Sequence, residues 1–231
     1  DGDSDRPMLT DESGRVIPGD ILGQITAQLL GAQIVVTPIS SNSGATQKPC
    51  FEGVVRTRIG SPFVIAAMEA QTGRVVGYEA NGGFLLGFTA QGPTGPLPPL
   101  VTRDSFLPII APLVAAKGMQ LSARVAQEPP CFTAADRLQD VPMVAMQTLI
   151  ADLVEQPQTR ADFLAELGTA ELALDLTDGI RITTTDTRTL HIRPSGNAPE
   201  LRLYVEQTTP DGAEATLAQG LAVLRKWLAA A

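Results

Sequence analysis

The chain has 231 residues, 44% of them hydrophobic and 18% charged, enough apolar material for one large domain or two modest ones and too little charge for disorder. A net charge of −8 excludes a protein that mainly coats nucleic acid or an anionic membrane surface, so any anionic ligand has to be held locally. The longest apolar run, Leu107 to Ala116, is broken by Pro108 and Pro112 and falls far short of the roughly 20 residues that span a bilayer.

Gly19-Asp20 precedes apolar residues Ile21, Leu22, Ile25, Leu29 and Leu30 at helical spacing, which predicts a capped helix. Gln33 to Thr37 reads as a doubly buried strand closed by Pro38, and a second strand is expected at Val54 to Thr57, after the polar loop Ser40 to Gly44. Ser61-Pro62 offers an N-cap and first-turn proline for a helix to Ala70. Arg74 to Glu79 and Phe84 to Phe88 read as strands around a Glu-Ala-Asn-Gly-Gly turn, Gln91 to Pro99 as a surface loop, and Asp104 as the cap of a helix to Lys117. Strands alternating with helices predict an α/β layer with a partly parallel sheet.

Glu128-Pro129-Pro130 marks an inter-domain linker, and the texture then changes. Helices are expected at Pro142 to Val154 and Thr159 to Leu167. Leu172, Leu174 and Leu176, then Ile180 and Ile182, Leu190 and Ile192, and Leu201, Leu203 and Val205 alternate with period two, the pattern of a half-buried antiparallel sheet. A last helix capped by Asp211 carries Leu217, Leu221, Leu224 and Leu228 on one stripe. The expected fold class is α/β: a mixed α/β domain over residues 10–127, then a smaller α+β domain over 128–231, with helices packed on a four-stranded, mostly antiparallel sheet.

Cys50 and Cys131 stand in no metal-ligand spacing and read as small buried hydrophobes in a reducing, cytoplasmic setting. The chain opens on Asp1 with neither an initiator Met nor a signal-like apolar stretch, so a processed chain or a piece of a longer protein is expected.

Three segments carry chemistry. Asp1, Asp3 and Asp5 place carboxylates at alternate positions of a short turn before Arg6, where hard oxygen ligands can converge on a divalent cation; the other reading is a solvated acidic terminus. A calcium loop ending at Glu12 is disfavoured because its sixth position, which needs Gly, is Arg6. Glu79 and Asn81 offer an acceptor and a mixed donor-acceptor suited to sugar hydroxyls, on a turn that could equally be a plain hairpin. Arg193, Ser195, Gly196 and Asn197 follow the strand Thr189 to Ile192, and an Arg fork beside a Ser- and Gly-containing turn suits a phosphate dianion. By alternation His191 and Arg193 point away from the leucine face, so both are expected at the surface.

In this order the three segments resemble the metal-, sugar- and phosphate-binding loops of the α-D-phosphohexomutase superfamily, the phosphomannomutases and phosphoglucomutases. Val55 to Gly60 and Arg193 to Glu206 resemble it too. The resemblance implies a phosphoserine enzyme that interconverts hexose 6-phosphate and hexose 1-phosphate through a hexose 1,6-bisphosphate. It implies that Asp1, Asp3 and Asp5 hold Mg²⁺, that Arg6 lies near the transferring phosphate, and that Glu79 and Asn81 grip sugar hydroxyls. Arg193, Ser195, Gly196 and Asn197 would hold the other phosphate. Residues 1–9 would then be the tail of a preceding domain that carries the metal loop.

The commoner sugar loop reads Gly-Glu-x-Ser-Gly-His, where this chain has Tyr78, Asn81 and Gly83 in place of Gly, Ser and His. The commoner phosphate loop has Thr-Glu-Pro where this chain has Asn197-Ala198-Pro199. No serine is followed by His, so the family's phosphoserine loop has no match, and the chain alone is expected to be inactive, its partners being the N-terminal domains of the same protein. The alternative is a stand-alone, non-catalytic phosphosugar-binding or regulatory protein.

Overall fold

A computed structural model describes residues 2, 4–196 and 198–230, and the chain divides into two compact units, Asp1–Pro129 and Pro130–Ala231. Among the described residues no helix is long and apolar enough to cross a membrane.

The first unit runs α1 (Gly19–Leu29), β1 (Ile34–Pro38), a 3-10 turn (Gly44–Gln47), β2 (Gly53–Thr57), α2 (Ser61–Glu69), β3 (Val75–Tyr78) and β4 (Phe84–Leu86). A hairpin of β5 (Ala90–Gly92) and β6 (Gly95–Leu97) follows, then β7 (Leu100–Asp104), α3 (Leu107–Ala115) and α4 (Leu121–Val125). The sheet order is β2-β1-β3-β4-β7; β1 pairs in parallel with β2 and β3, and β4 pairs antiparallel with β3 and β7.

Both faces of the central strands are covered, which is why they read as continuous apolar runs. Val35 and Val76 pack with Ala27 of α1, while their neighbours Val36 and Val75 pack with Val64 and Met68 of α2. Gln91 to Pro99, expected as a loop, forms most of the β5–β6 hairpin, which begins at Ala90. Asp104 Oδ1 accepts the N–H groups of Phe106 (2.8 Å) and Leu107 (3.1 Å), and α3 ends two residues before Lys117.

The second unit runs β8 (Phe132–Leu138), α5 (Met143–Glu155), α6 (Pro157–Glu166), β9 (Glu171–Asp175), β10 (Ile180–Thr184), β11 (Thr189–Pro194), β12 (Leu201–Gln207) and α7 (Pro210–Ala230). Its sheet, in the order β8-β12-β11-β10-β9, is antiparallel throughout and has five strands rather than the four expected. The additional strand, β8, buries only Ala134 and Leu138 along its length, too sparse a signal to stand out beside the leucine-rich strands.

Helices α5, α6 and α7 bury Met146, Leu149, Leu153, Phe163, Leu164, Leu217, Leu221 and Leu224 against Ile180, Ile182, Leu190, Ile192, Leu201 and Leu203 of the sheet. α7 starts at Pro210 rather than after Asp211; the Thr209 hydroxyl accepts the Gly212 N–H at 3.1 Å, and Pro takes the first-turn position that needs no N–H donor. Cys131 is buried as expected, but Cys50 is exposed, because the turn that carries it runs over the surface.

Candidate functional site

In the first unit the Glu79 turn joins β3 to β4. Glu79 N donates to Gly83 O (3.1 Å) and Gly82 N to Glu79 O (2.8 Å), with Gly82 at φ +93°. Asn81 Oδ1 accepts the Gly83 N–H at 3.0 Å, which leaves the exposed Asn81 amide as a donor. The turn rests against the start of α1, where a Cβ on Gly19 would lie 2.2 Å from Gly82 N and 2.5 Å from Ala80 O.

Glu79 is 4% exposed, and one of its oxygens is fixed. Oε2 accepts from Ser61 Oγ at 3.0 Å and from Arg103 Nε at 2.9 Å, and the same Nε lies 2.9 Å from Ser61 Oγ. Oε1 accepts no hydrogen bond among the described residues, so it is the acceptor this carboxylate can offer a ligand.

Arg103 also reaches the start of the chain, with Nη1 donating to Asp5 Oδ2 at 2.5 Å. The guanidinium holds the Asp5 carboxyl below its ordinary range, against a smaller opposing effect of burial, and Asp5 in turn raises Arg103. Asp5 Oδ1 is buried and ion-paired with Arg6 Nε at 3.4 Å, and the Arg6 side chain is half exposed.

Asp1 and Asp3, the other expected metal ligands, lie outside the described residues. Among the described residues no group of three metal-ligating side chains forms. A carboxylate oxygen with no hydrogen-bond partner among the described residues, such as Asp5 Oδ1, is chemically suited to a hard cation such as Mg²⁺. Glu12, considered for calcium, is instead bonded to the Ser122 hydroxyl and to Ser122 N.

In the second unit Arg193 lies near the end of β11. Its Nε donates to Asp178 Oδ1 at 2.9 Å, and its side chain is 19% exposed, so it is less open than strand alternation implied. After it, Ser195 N donates to Glu200 O (2.8 Å) and Glu200 N to Ala198 O (2.7 Å), closing a tight turn whose exposed tip is Gly196. Among the described residues, none beyond its chain neighbours comes within 4 Å of where a Gly196 Cβ would be, so the backbone there is open to approach. Asn197 lies outside the described residues.

His191, expected at the surface, is 2% exposed. Alternation gave its face of the sheet correctly, but Tyr204 of β12 stacks on the ring at 5.3 Å, and the Asp178-Gly179 turn folds over it. Burial pushes its pKa down to about 4, although its Nε2 contacts Asp178 O at 2.7 Å. The carbonyl can only accept, so the neutral ring carries its proton on Nε2.

Sequence reasoning singled out Asp5, Glu79 and Arg193 but not Ser61, Arg103 or Asp178. Arg103 meets Asp5 across 98 positions, a separation that no local pattern reveals. Asp178 was more accessible: Asp-Gly between two alternating strands is a hairpin signal, and the pairing of Ile180 with Ile192 puts that turn beside Arg193.

Two family profiles match the chain: "Phosphoglucomutase/phosphomannomutase, alpha/beta/alpha domain III" over residues 18–132, and "Phosphoglucomutase/phosphomannomutase, C-terminal domain" over residues 136–223. A phosphomannomutase of Sinorhizobium fredii is 47% identical over 97% of this chain and 48% of its own length. A phosphoglucomutase/phosphomannomutase family protein of Burkholderia thailandensis superposes with a TM-score of 0.69 at 19% identity, over 99% of this chain and 45% of that one. The N-acetylphosphoglucosamine mutase of Aspergillus fumigatus, solved with GlcNAc-6P and magnesium, gives 0.61 at 16% identity, over 97% and 51%. The chain therefore spans about half the length of these proteins.

Proposed function

The chain belongs to the phosphoglucomutase/phosphomannomutase family of α-D-phosphohexomutases, and from that membership we propose that it is the C-terminal part of a Mg²⁺-dependent mutase. The whole protein would interconvert hexose 6-phosphate and hexose 1-phosphate through a phosphoserine and a hexose 1,6-bisphosphate. The observation that carries the reading is the Glu79 carboxylate, buried at the tip of a hairpin with Oε2 locked by Ser61 and Arg103 and Oε1 left to accept from a ligand.

A carboxylate held this way is preorganised to receive a sugar hydroxyl without rearranging. Asn81 adds a donor on the same turn. Arg193, aimed by Asp178, with Ser195, Gly196 and Asn197, would hold the phosphate that is not transferred. Arg6, half exposed beside Asp5, would face the phosphate that is transferred. Asp5, with Asp1 and Asp3, would hold Mg²⁺, and the bound ion would supply charge neutralisation during phosphoryl transfer. Residues 1–9 are read as the tail of the preceding domain. A cytoplasmic setting is inferred from cysteine usage alone.

No serine here is followed by His, so the phosphoryl donor would come from the N-terminal domains and this chain alone would not turn over. A coupled assay of the purified chain with mannose 1-phosphate and glucose 1-phosphate tests this, since a rate near those of ordinary enzymes, roughly 10 s⁻¹, contradicts it. The mass of the natural protein separates this reading from a stand-alone phosphosugar-binding protein: about twice 24.3 kDa supports the mutase, and 24.3 kDa supports the other.

A further inference from the structure

Arg103 sits at the end of β7, beside the Glu79 turn, and its guanidinium is fixed at two places. Nε bonds Glu79 Oε2 and Ser61 Oγ, and Nη1 bonds Asp5 Oδ2. Nη2 makes no hydrogen bond among the described residues, and the side chain is 30% exposed. In a planar guanidinium Nη2 shares with Nε the edge that faces Glu79, so a free donor and the free acceptor Glu79 Oε1 belong to one ion pair. Gly83 makes room for this arrangement, since a Cβ there would lie 3.1 Å from Arg103 Cγ and 3.2 Å from Cδ. The departure from the commoner loop at position 83 thus has a structural counterpart: a Cβ there would press on the stem of Arg103 and require it to shift by a few tenths of an ångström.

We propose that Arg103 is a substrate-binding residue that, with Glu79, recognises a vicinal diol of the hexose. One hydroxyl would donate to Glu79 Oε1 while its neighbour accepts from Arg103 Nη2. A hydroxyl both donates and accepts, so two adjacent ones match a fixed acceptor beside a fixed donor. The proposal rests on the reading of the Glu79 turn as the sugar-binding element. What it adds is a residue that the sequence motifs do not contain.

The test is calorimetric titration of the full chain and of Arg103→Lys with glucose 6-phosphate and its 2-, 3- and 4-deoxy analogues. Circular dichroism and thermal melting verify that the variant is folded. For the unsubstituted chain, deletion of either of two adjacent hydroxyls is expected to weaken binding about tenfold or more, the effect of losing one charge-assisted hydrogen bond. In Arg103→Lys the cost of deleting the hydroxyl that accepts from Arg103 should largely disappear. A variant that loses the same factor for every analogue shows that Arg103 only supports Glu79, and overturns the proposal. Sensitivity to a single hydroxyl in the unsubstituted chain overturns it without recourse to a variant. No binding of glucose 6-phosphate by the unsubstituted chain contradicts the sugar-site reading and the proposal together, whereas binding indifferent to Arg103 contradicts the proposal alone.

Discussion

Arg193 and Asp178 form a mostly buried ion pair in which Nε donates to Oδ1 at 2.9 Å, and the Asp178 carbonyl also contacts the ring of His191. One turn residue thus aims the arginine and helps to cover the histidine. Asp178→Ala is expected to lower the stability of the second unit by about 2 kcal/mol, less than the roughly 3–5 kcal/mol for breaking a fully buried pair because Arg193 keeps some solvent. Trp227, the only tryptophan, packs edge-on against Phe163 at 5.6 Å, so its fluorescence during urea unfolding reports this unit directly. An unchanged midpoint would mean that the pair contributes nothing to stability.

His191 makes the second unit sensitive to mild acid. Its folded pKa of about 4 lies below the ordinary 6.5, so between these values the unfolded chain binds the proton and the folded chain does not. Stability is therefore full above pH 6.5, falls as the pH drops toward 4, and gains no further loss from this group below that, a total of about 3 kcal/mol. Asp186, held far below the usual carboxylate range chiefly by Arg188, acts in a lower window, its contribution being lost as the pH falls below 3.8. Trp227-monitored unfolding of the chain and of His191→Phe should diverge between pH 6.5 and 4, because no other histidine is present. Parallel pH profiles would contradict the burial argument.

The first unit has its own buried charge cluster. Glu128 accepts from Lys48 Nζ at 2.5 Å and from Arg124 Nη1 at 2.8 Å, with all three side chains less than a tenth exposed. Glu128→Gln removes the carboxylate that pairs with two buried cations and is expected to cost about 3 kcal/mol, observed as an earlier melting transition by circular dichroism.

Gly19 bears on the ligand rather than on the core. A methyl group there meets Gly82 N and Ala80 O, backbone atoms of the Glu79 turn that cannot swing aside as a side chain would. Gly19→Ala is expected to displace that turn and weaken hexose phosphate binding about tenfold or more, equivalent to about 1.4 kcal/mol. Calorimetry on the folded variant checks it, and wild-type affinity would show that the position of the turn does not matter.

Sequence patterning revealed the elements whose burial is regular. The Leu201, Leu203 and Val205 alternation became β12, and Ile21, Leu22 and Ile25 became the inner face of α1. It missed elements whose pattern is weak: β8 buries little besides Ala134 and Leu138, β7 leaves Leu100 and Val101 exposed, and prolines mask the β5–β6 hairpin. At the candidate site, charged residues in turns were visible one at a time. What brings them together was not, because Arg103 joins Asp5 to Glu79 across 98 and 24 positions. Which face a strand residue points to was also legible for His191; what covers that face depends on Asp178 and Tyr204, which come from other segments.

The central claim is that this chain recognises a phosphosugar through the Arg193 turn, and calorimetric titration with glucose 1,6-bisphosphate, with and without Mg²⁺, tests it most directly. The account predicts binding by the unsubstituted chain and at least about tenfold weaker binding by Arg193→Ala, the loss expected when a charge-assisted contact to phosphate is removed. Equal affinity of the two proteins, or no binding by either, would contradict it.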